Sequence, residues 1–111
     1  MTKAIVIINE VHSLKEEQKK LLQEYFGGYC RYNILKTGLT LNQMEDVAKD
    51  LFKLGNVQIV FASPIAPLLL MVLDYSARNN VHVFHNDKRD KKELPNGKVI
   101  YTIAEKGWQL Y

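Results

Sequence analysis

Four short apolar runs, each closing on a cluster of polar residues, constrain this chain more than any other feature. Ala4-Ile-Val-Ile-Ile8 leads into Asn9, Glu10, His12 and Ser13. Tyr32-Asn-Ile-Leu35 leads into Lys36, Thr37 and Gly38. Val57-Gln-Ile-Val-Phe-Ala62 leads into Ser63 and Pro64, and Val81-His-Val-Phe84 into His85, Asn86, Asp87 and Lys88. The first and third runs are continuously apolar, as parallel strands covered on both faces must be. In an open α/β sheet the carboxyl ends of such strands share one edge, and ligands bind there.

The segments between the runs read as helices. Ser13 with Glu16 three residues on has the form of a capping box, and Leu14, Leu21, Leu22, Tyr25 and Phe26 fall on one face before Gly27-Gly28. Thr40 with Gln43 repeats the device, with a stripe of Leu41, Met44, Val47, Ala48, Leu51 and Leu54 and a stop at Gly55. Ser63-Pro64 is a cap followed by proline at the first helical position, although Ala66-Pro67 is an alternative start. From Leu68 to Leu73 the third helix is apolar all round, so it is either deeply buried or packed against another subunit.

After Phe84 the pattern gives a charged loop over Asp87 to Lys92, a turn at Pro95-Asn96-Gly97, a strand over Lys98 to Ile103 and a short strand over Trp108 to Tyr111. The reading is one Rossmann-like α/β domain over residues 1–111. Its sheet is mostly parallel and flanked by helices, and it carries a C-terminal β-hairpin.

Several functional classes are excluded or disfavoured. A net charge of +3 is too mild for a dedicated duplex binder. Cys30 is the only cysteine, which rules out an internal disulfide and fits a reducing, cytoplasmic setting. No signal peptide is visible at the start, and the longest apolar stretch, Ile65 to Leu73, is too short to span a bilayer. There is no Gly-x-Gly-x-x-Gly turn, Walker loop or hydrolase elbow. The three histidines are scattered without metal-ligand spacing, so neither cofactor nor metal is expected.

What remains is a set of strand-end groups. His12 can move a proton or pair with a phosphate near neutrality, and Ser13 accompanies it, although capping is the stronger reading for Ser13 taken alone. Asn9, His85 and Asn86 offer donors and acceptors suited to ribose, base edges and phosphate, or to satisfying loop backbone. Ser63, Pro64 and Ile65 present a helix amino terminus. Lys88 and Arg89 belong either to a solvated loop or to a lid over a phosphate-rich ligand.

Three segments resemble the small accessory proteins of type III CRISPR systems that are similar to ring nucleases and CARF (CRISPR-associated Rossmann fold) domains. They are Asn9-Glu-Val-His-Ser-Leu-Lys-Glu-Glu-Gln18, Val60-Phe-Ala-Ser-Pro-Ile-Ala-Pro67, and Val83-Phe-His-Asn-Asp87 with Glu93-Leu-Pro-Asn-Gly-Lys98 and Gly107-Trp108. The resemblance implies a homodimer that binds cyclic oligoadenylate, foremost the tetra-adenylate ring, across its two-fold axis. It also implies cleavage without metal by attack of a ribose 2′-hydroxyl on the neighbouring phosphate. His12 and Ser13 would then assist the chemistry, Ser63 to Ile65 would bind phosphate, Asn9, His85 and Asn86 would orient ribose or adenine, and Lys88 and Arg89 would neutralise charge. Two alternatives stand beside it: a binder that sequesters or senses the ring without cutting it, and a protein-interaction subunit with no nucleotide ligand.

Overall fold

In a computed structural model, which describes residues 3–111, the strands are β1 (Ala4–Asn9), β2 (Tyr29–Ile34), β3 (Gln58–Phe61), β4 (Val81–His85), β5 (Arg89–Glu93), β6 (Val99–Ile103) and β7 (Gln109–Leu110). The helices are α1 (Glu16–Phe26), α2 (Leu41–Lys53) and α3 (Ala66–Tyr75). The main sheet has the order β2-β1-β3-β4-β7, parallel except for β7, and β5 and β6 form a separate antiparallel ribbon. This is the α/β architecture expected from the sequence.

Alternation along β1 divides the core. Ala4, Val6 and Ile8 face α1 with Val60 and Phe84, packing on Leu14, Leu22 and Phe26. Ile7 faces the other way with Ile59, Phe61 and Val81, against Met44, Val47, Ala48 and Leu51 of α2 and Leu68 and Val72 of α3. Enclosing a side chain as fully as Leu22 stabilises the fold by about 1.5–3 kcal/mol before entropy is counted. From β1 the chain steps outward through α1 to β2, then crosses back over β1 through α2 to β3 on its other side. This explains why α1 lies on one face of the sheet and α2 and α3 on the other.

Local boundaries differ from the sequence expectations in instructive ways. β2 starts at Tyr29, not Tyr32, because it pairs along the whole of β1, from Ala4↔Tyr29 to Asn9↔Ile34. As an edge strand it tolerates exposed Cys30, Arg31 and Asn33, which disguise it as loop. The first helix is not capped by Ser13. It begins two residues later than the capping-box reading allowed, with Lys15 at the cap position and Gln18 returning its Oε1 to the Lys15 N–H at 2.8 Å. That start lets Leu14 and Gln18 turn inward, at 7% and 4% exposure. Thr40 and Gln43 do form a reciprocal box.

Ser63 is likewise not a helix cap. α3 starts at Ala66 with Pro67 in its first turn, where a missing N–H costs nothing. Its apolar girth is only partly enclosed, for Leu68 and Val72 are buried while Leu70 is exposed. The segment expected as a charged loop is strand β5, whose partner is β6 across the Pro95-Asn96-Gly97 turn. The last strand, β7, returns to the main sheet beside β4.

At the amino ends of β3 and β4, His82 contacts Gln58 Oε1 through Nε2 at 2.7 Å, and Gln58 Nε2 donates to Asn80 at 3.0 Å. Burial, with the Arg78 charge adding to it, holds His82 below its ordinary value. Its stabilising contribution is therefore complete above the unfolded value of 6.5 and is lost as pH falls through the folded one. The urea midpoint is expected to drop from about pH 7.5 to about pH 5, and to drop less in His82→Gln. Equal drops in the two proteins would remove His82 from the explanation.

Candidate functional site

The reversal of chain direction between β1 and β3 opens a crevice at their carboxyl ends, the place where doubly wound sheets bind ligands. A cleft of about 890 Å³ lies there, within the range of small-molecule sites. It is walled by Asn9 at the end of β1 and Val11, His12 and Ser13 after it, Ala62 to Ile65 after β3, and Thr102 and Ile103 of β6, with Lys15, Gln18 and Trp108.

Its chemical centre is a pair contributed by the two strand ends. His12 Nδ1 lies 3.0 Å from Ser63 Oγ, and the same oxygen accepts the Asn9 backbone N–H at 3.0 Å. Because α3 starts beyond it, Ser63 has no helix to cap and its hydroxyl is available for this bridge. The turn bearing His12 is tightly held. Asn9 Oδ1 accepts the Val11 N–H at 3.1 Å, Asn9 O accepts the His12 N–H at 2.9 Å, and Arg31 donates to His12 O at 3.0 Å. The Glu10 carboxylate ties the turn to β2 through the Lys36 N–H. An imidazole on a turn braced from β2 and β3 is well placed to act without reorganising.

Two tautomers satisfy the pair. With Nδ1–H donating to Oγ, the hydroxyl accepts two N–H groups and keeps its proton for a ligand, while Nε2 is a bare acceptor. With Oγ donating to Nδ1, the ring instead offers Nε2–H. The first arrangement is a base beside a hydroxyl donor, and the second is a donor suited to a phosphate oxygen.

The sequence-derived residues divide into two groups. Asn9, His12, Ser13, Ser63, Pro64 and Ile65 all line the cleft. His85, Asn86, Lys88 and Arg89 do not. β4 lies outside β3 in the sheet, and its end is occupied by the base of the β5–β6 ribbon and by β7. His85 lines a separate depression with Tyr25 and Gln109. Lys88 and Arg89 border another with Glu105 and Lys106, and Arg89 is spent on the Asn86 and Lys88 carbonyls. Asn86 is 5% exposed and donates to the Ala104 and Lys106 carbonyls while accepting the Lys88 N–H, which makes it a latch between β4 and the returning chain.

Residues passed over in the sequence contribute instead. Lys15, held at 2.9 Å by Glu105, is the cation in the cleft wall. Gln18 reaches the wall from the buried side, using its oxygen on Lys15 N and keeping its amide N–H₂. The shifted start of α1 puts both there, and the Gln18 reciprocal bond was the signal that could have found them. Among the described residues no three His, Cys, Asp or Glu side chains gather as a metal site, and no helix is long and apolar enough to cross a membrane.

These features define a class: a doubly wound α/β domain with a mainly apolar cleft and a His–Ser pair at the switch point. The chain matches no family model, no curated protein and no solved structure.

Proposed function

We propose that the chain binds cyclic oligoadenylate, with cyclic tetra-adenylate the first ring to test, and opens it without metal to switch off type III CRISPR signalling in the cytoplasm. The observation that supports this is the His12–Ser63 pair at the β1/β3 crevice, in a cleft with apolar walls for adenine and a nearby Lys15 for phosphate. In the reaction a ribose 2′-oxygen attacks the adjacent phosphorus, the bond from phosphorus to the 5′-oxygen breaks, and solvent water protonates the departing 5′-oxygen, leaving a 2′,3′-cyclic phosphate and a 5′-hydroxyl. His12 Nε2 takes the 2′-hydroxyl proton, and Ser63 steadies the ring through Nδ1 while its own hydroxyl faces a phosphate oxygen. Holding the attacking and leaving oxygens in line supplies most of the acceleration, and a proton acceptor adds about 10²–10⁴-fold. A cleft open on one side takes part of a ring, and a homodimer would supply the rest.

Incubation of the folded protein with cyclic tetra-adenylate, with and without chelator, is expected to give linear products ending in a cyclic phosphate in both cases. Tight binding with intact ring would make the chain a sequestering or sensing protein, a reading favoured by the predominance of apolar groups in the cleft wall. No binding at all would leave the protein-interaction reading.

A further inference from the structure

The β5–β6 ribbon has two edges of opposite character. β5 is Arg-Asp-Lys-Lys-Glu, charged throughout, as an edge protected from association is. β6 is Val-Ile-Tyr-Thr-Ile and carries no charge, yet Val99, Ile100, Tyr101 and Ile103 are 42%, 39%, 68% and 49% exposed. Its pairing with β5 is fully phased. Leu94 N donates to Lys98 O at 2.7 Å and Ala104 N to Lys88 O at 3.3 Å. In an antiparallel ladder the bonding groups then belong to every second residue, so Ile100 and Thr102 turn theirs toward β5. The N–H and C=O groups of Val99, Tyr101 and Ile103 point the other way and meet no backbone partner among the described residues.

The geometry points to a docking surface for a second copy of this chain, with β6 pairing antiparallel to the partner's β6 about a two-fold axis at Tyr101. This goes beyond the ring-opening reading, which calls for a two-fold axis without placing it, and it holds whether or not a ring is cut. About that axis Tyr101 meets its own symmetry mate and Val99 meets Ile103 of the other copy. These are the residues whose backbone groups are free, so each meeting pair can exchange two hydrogen bonds. The outer rows agree. Because Arg89 lies beside Ile103 and Glu93 beside Val99, each row of the joined sheet that begins with Arg89 ends with Glu93 of the other copy. No like charges become neighbours. Thr102 and Ile103 also wall the cleft, so the joined ribbons would extend the cleft of each copy toward the other.

A short ribbon edge buries less than the roughly 800 Å² per partner of a standard interface, so a weak, concentration-dependent dimer is expected. Sedimentation of the full chain from about 2 to about 200 µM should therefore pass from monomer toward dimer. Val99→Lys with Ile103→Lys sets lysine against lysine across the axis and should leave monomer throughout. Hydrogen exchange gives the sharper readout: amides of Val99, Tyr101 and Ile103 should gain protection with concentration, while those of Ile100 and Thr102 are protected at every concentration and report an intact ribbon. A wild-type monomer over the whole range overturns the proposal. A dimer that survives the paired lysine substitution, with Ile100 and Thr102 still protected, overturns it equally.

Discussion

His12→Ala is expected to slow ring opening by about 10²–10⁴-fold while changing ring affinity only a few-fold, because a proton acceptor acts on the transition state and not on the bound ring. Single-turnover cleavage measures the first quantity and calorimetry the second. Ser63→Ala should reproduce much of the loss, since it removes the atom that fixes the imidazole and strands the Asn9 N–H. The double variant should fall little below the worse single one, as expected for groups that act as a unit. His12 is exposed and touches solvent on one side, so its truncation should leave thermal stability nearly unchanged. A rate unaffected by His12→Ala would mean that alignment of the ring alone carries the reaction. An equal loss of rate and affinity would assign His12 to phosphate binding.

The same pair illustrates what could be read from sequence. The sequence placed His12 and Ser63 at the ends of two strands, and parallel pairing of β1 with β3 brings those ends together. That follows from hydrophobic pattern and crossover topology, which are local or nearly so. The expected site residues that fall outside the cleft all adjoin the returning chain. His85 and Asn86 end a strand just as His12 follows one, but β4 lies beyond β3 and its tip is filled by residues 104–108. Nothing in the period of β4 reveals that β7 will lie beside it, because two residues of strand carry almost no pattern of their own. The β5 segment is charged at every position and looked like loop. It is strand because β6 opposite it is apolar, a property of the pair that neither segment shows alone. Glu17 had no role in the sequence reading, yet its Oε1 accepts the Gly107 and Trp108 N–H groups, each at 2.8 Å, from ninety residues away.

Asn86→Ala should test which of two roles that residue has, and its expected effect is on folding. The side chain is buried and makes three bonds to backbone: Oδ1 accepts the Lys88 N–H at 2.9 Å, and Nδ2 serves the Ala104 and Lys106 carbonyls at 3.1 Å. Leaving a buried backbone group unpaired costs about 1–3 kcal/mol, and water reaches part of this cluster, so a total of roughly 2–4 kcal/mol is expected. For a domain of this size that lowers Tm by about 10–20 °C. Asn86→Asp should be at least as damaging, for it turns an oxygen toward two carbonyl oxygens. Gly107 is part of the same latch, since at φ +95° a Cβ would stand 2.8 Å from Lys88 Cδ and 3.2 Å from Asn86 Oδ1. Gly107→Ala is therefore expected to destabilise, and Glu17→Ala to do so from the α1 side while Glu17→Gln, which keeps an acceptor, does less. Trp108 is the only tryptophan and meets Phe84 edge-on at 6.1 Å, so its fluorescence reports whether β7 leaves the sheet before the rest unfolds. If Asn86→Ala keeps its Tm and loses ring affinity, the residue contacts ligand after all. If Tm falls and the Trp108 signal moves with it, Asn86 is the peg that closes the sheet, and the cleft at β1 and β3 operates without it.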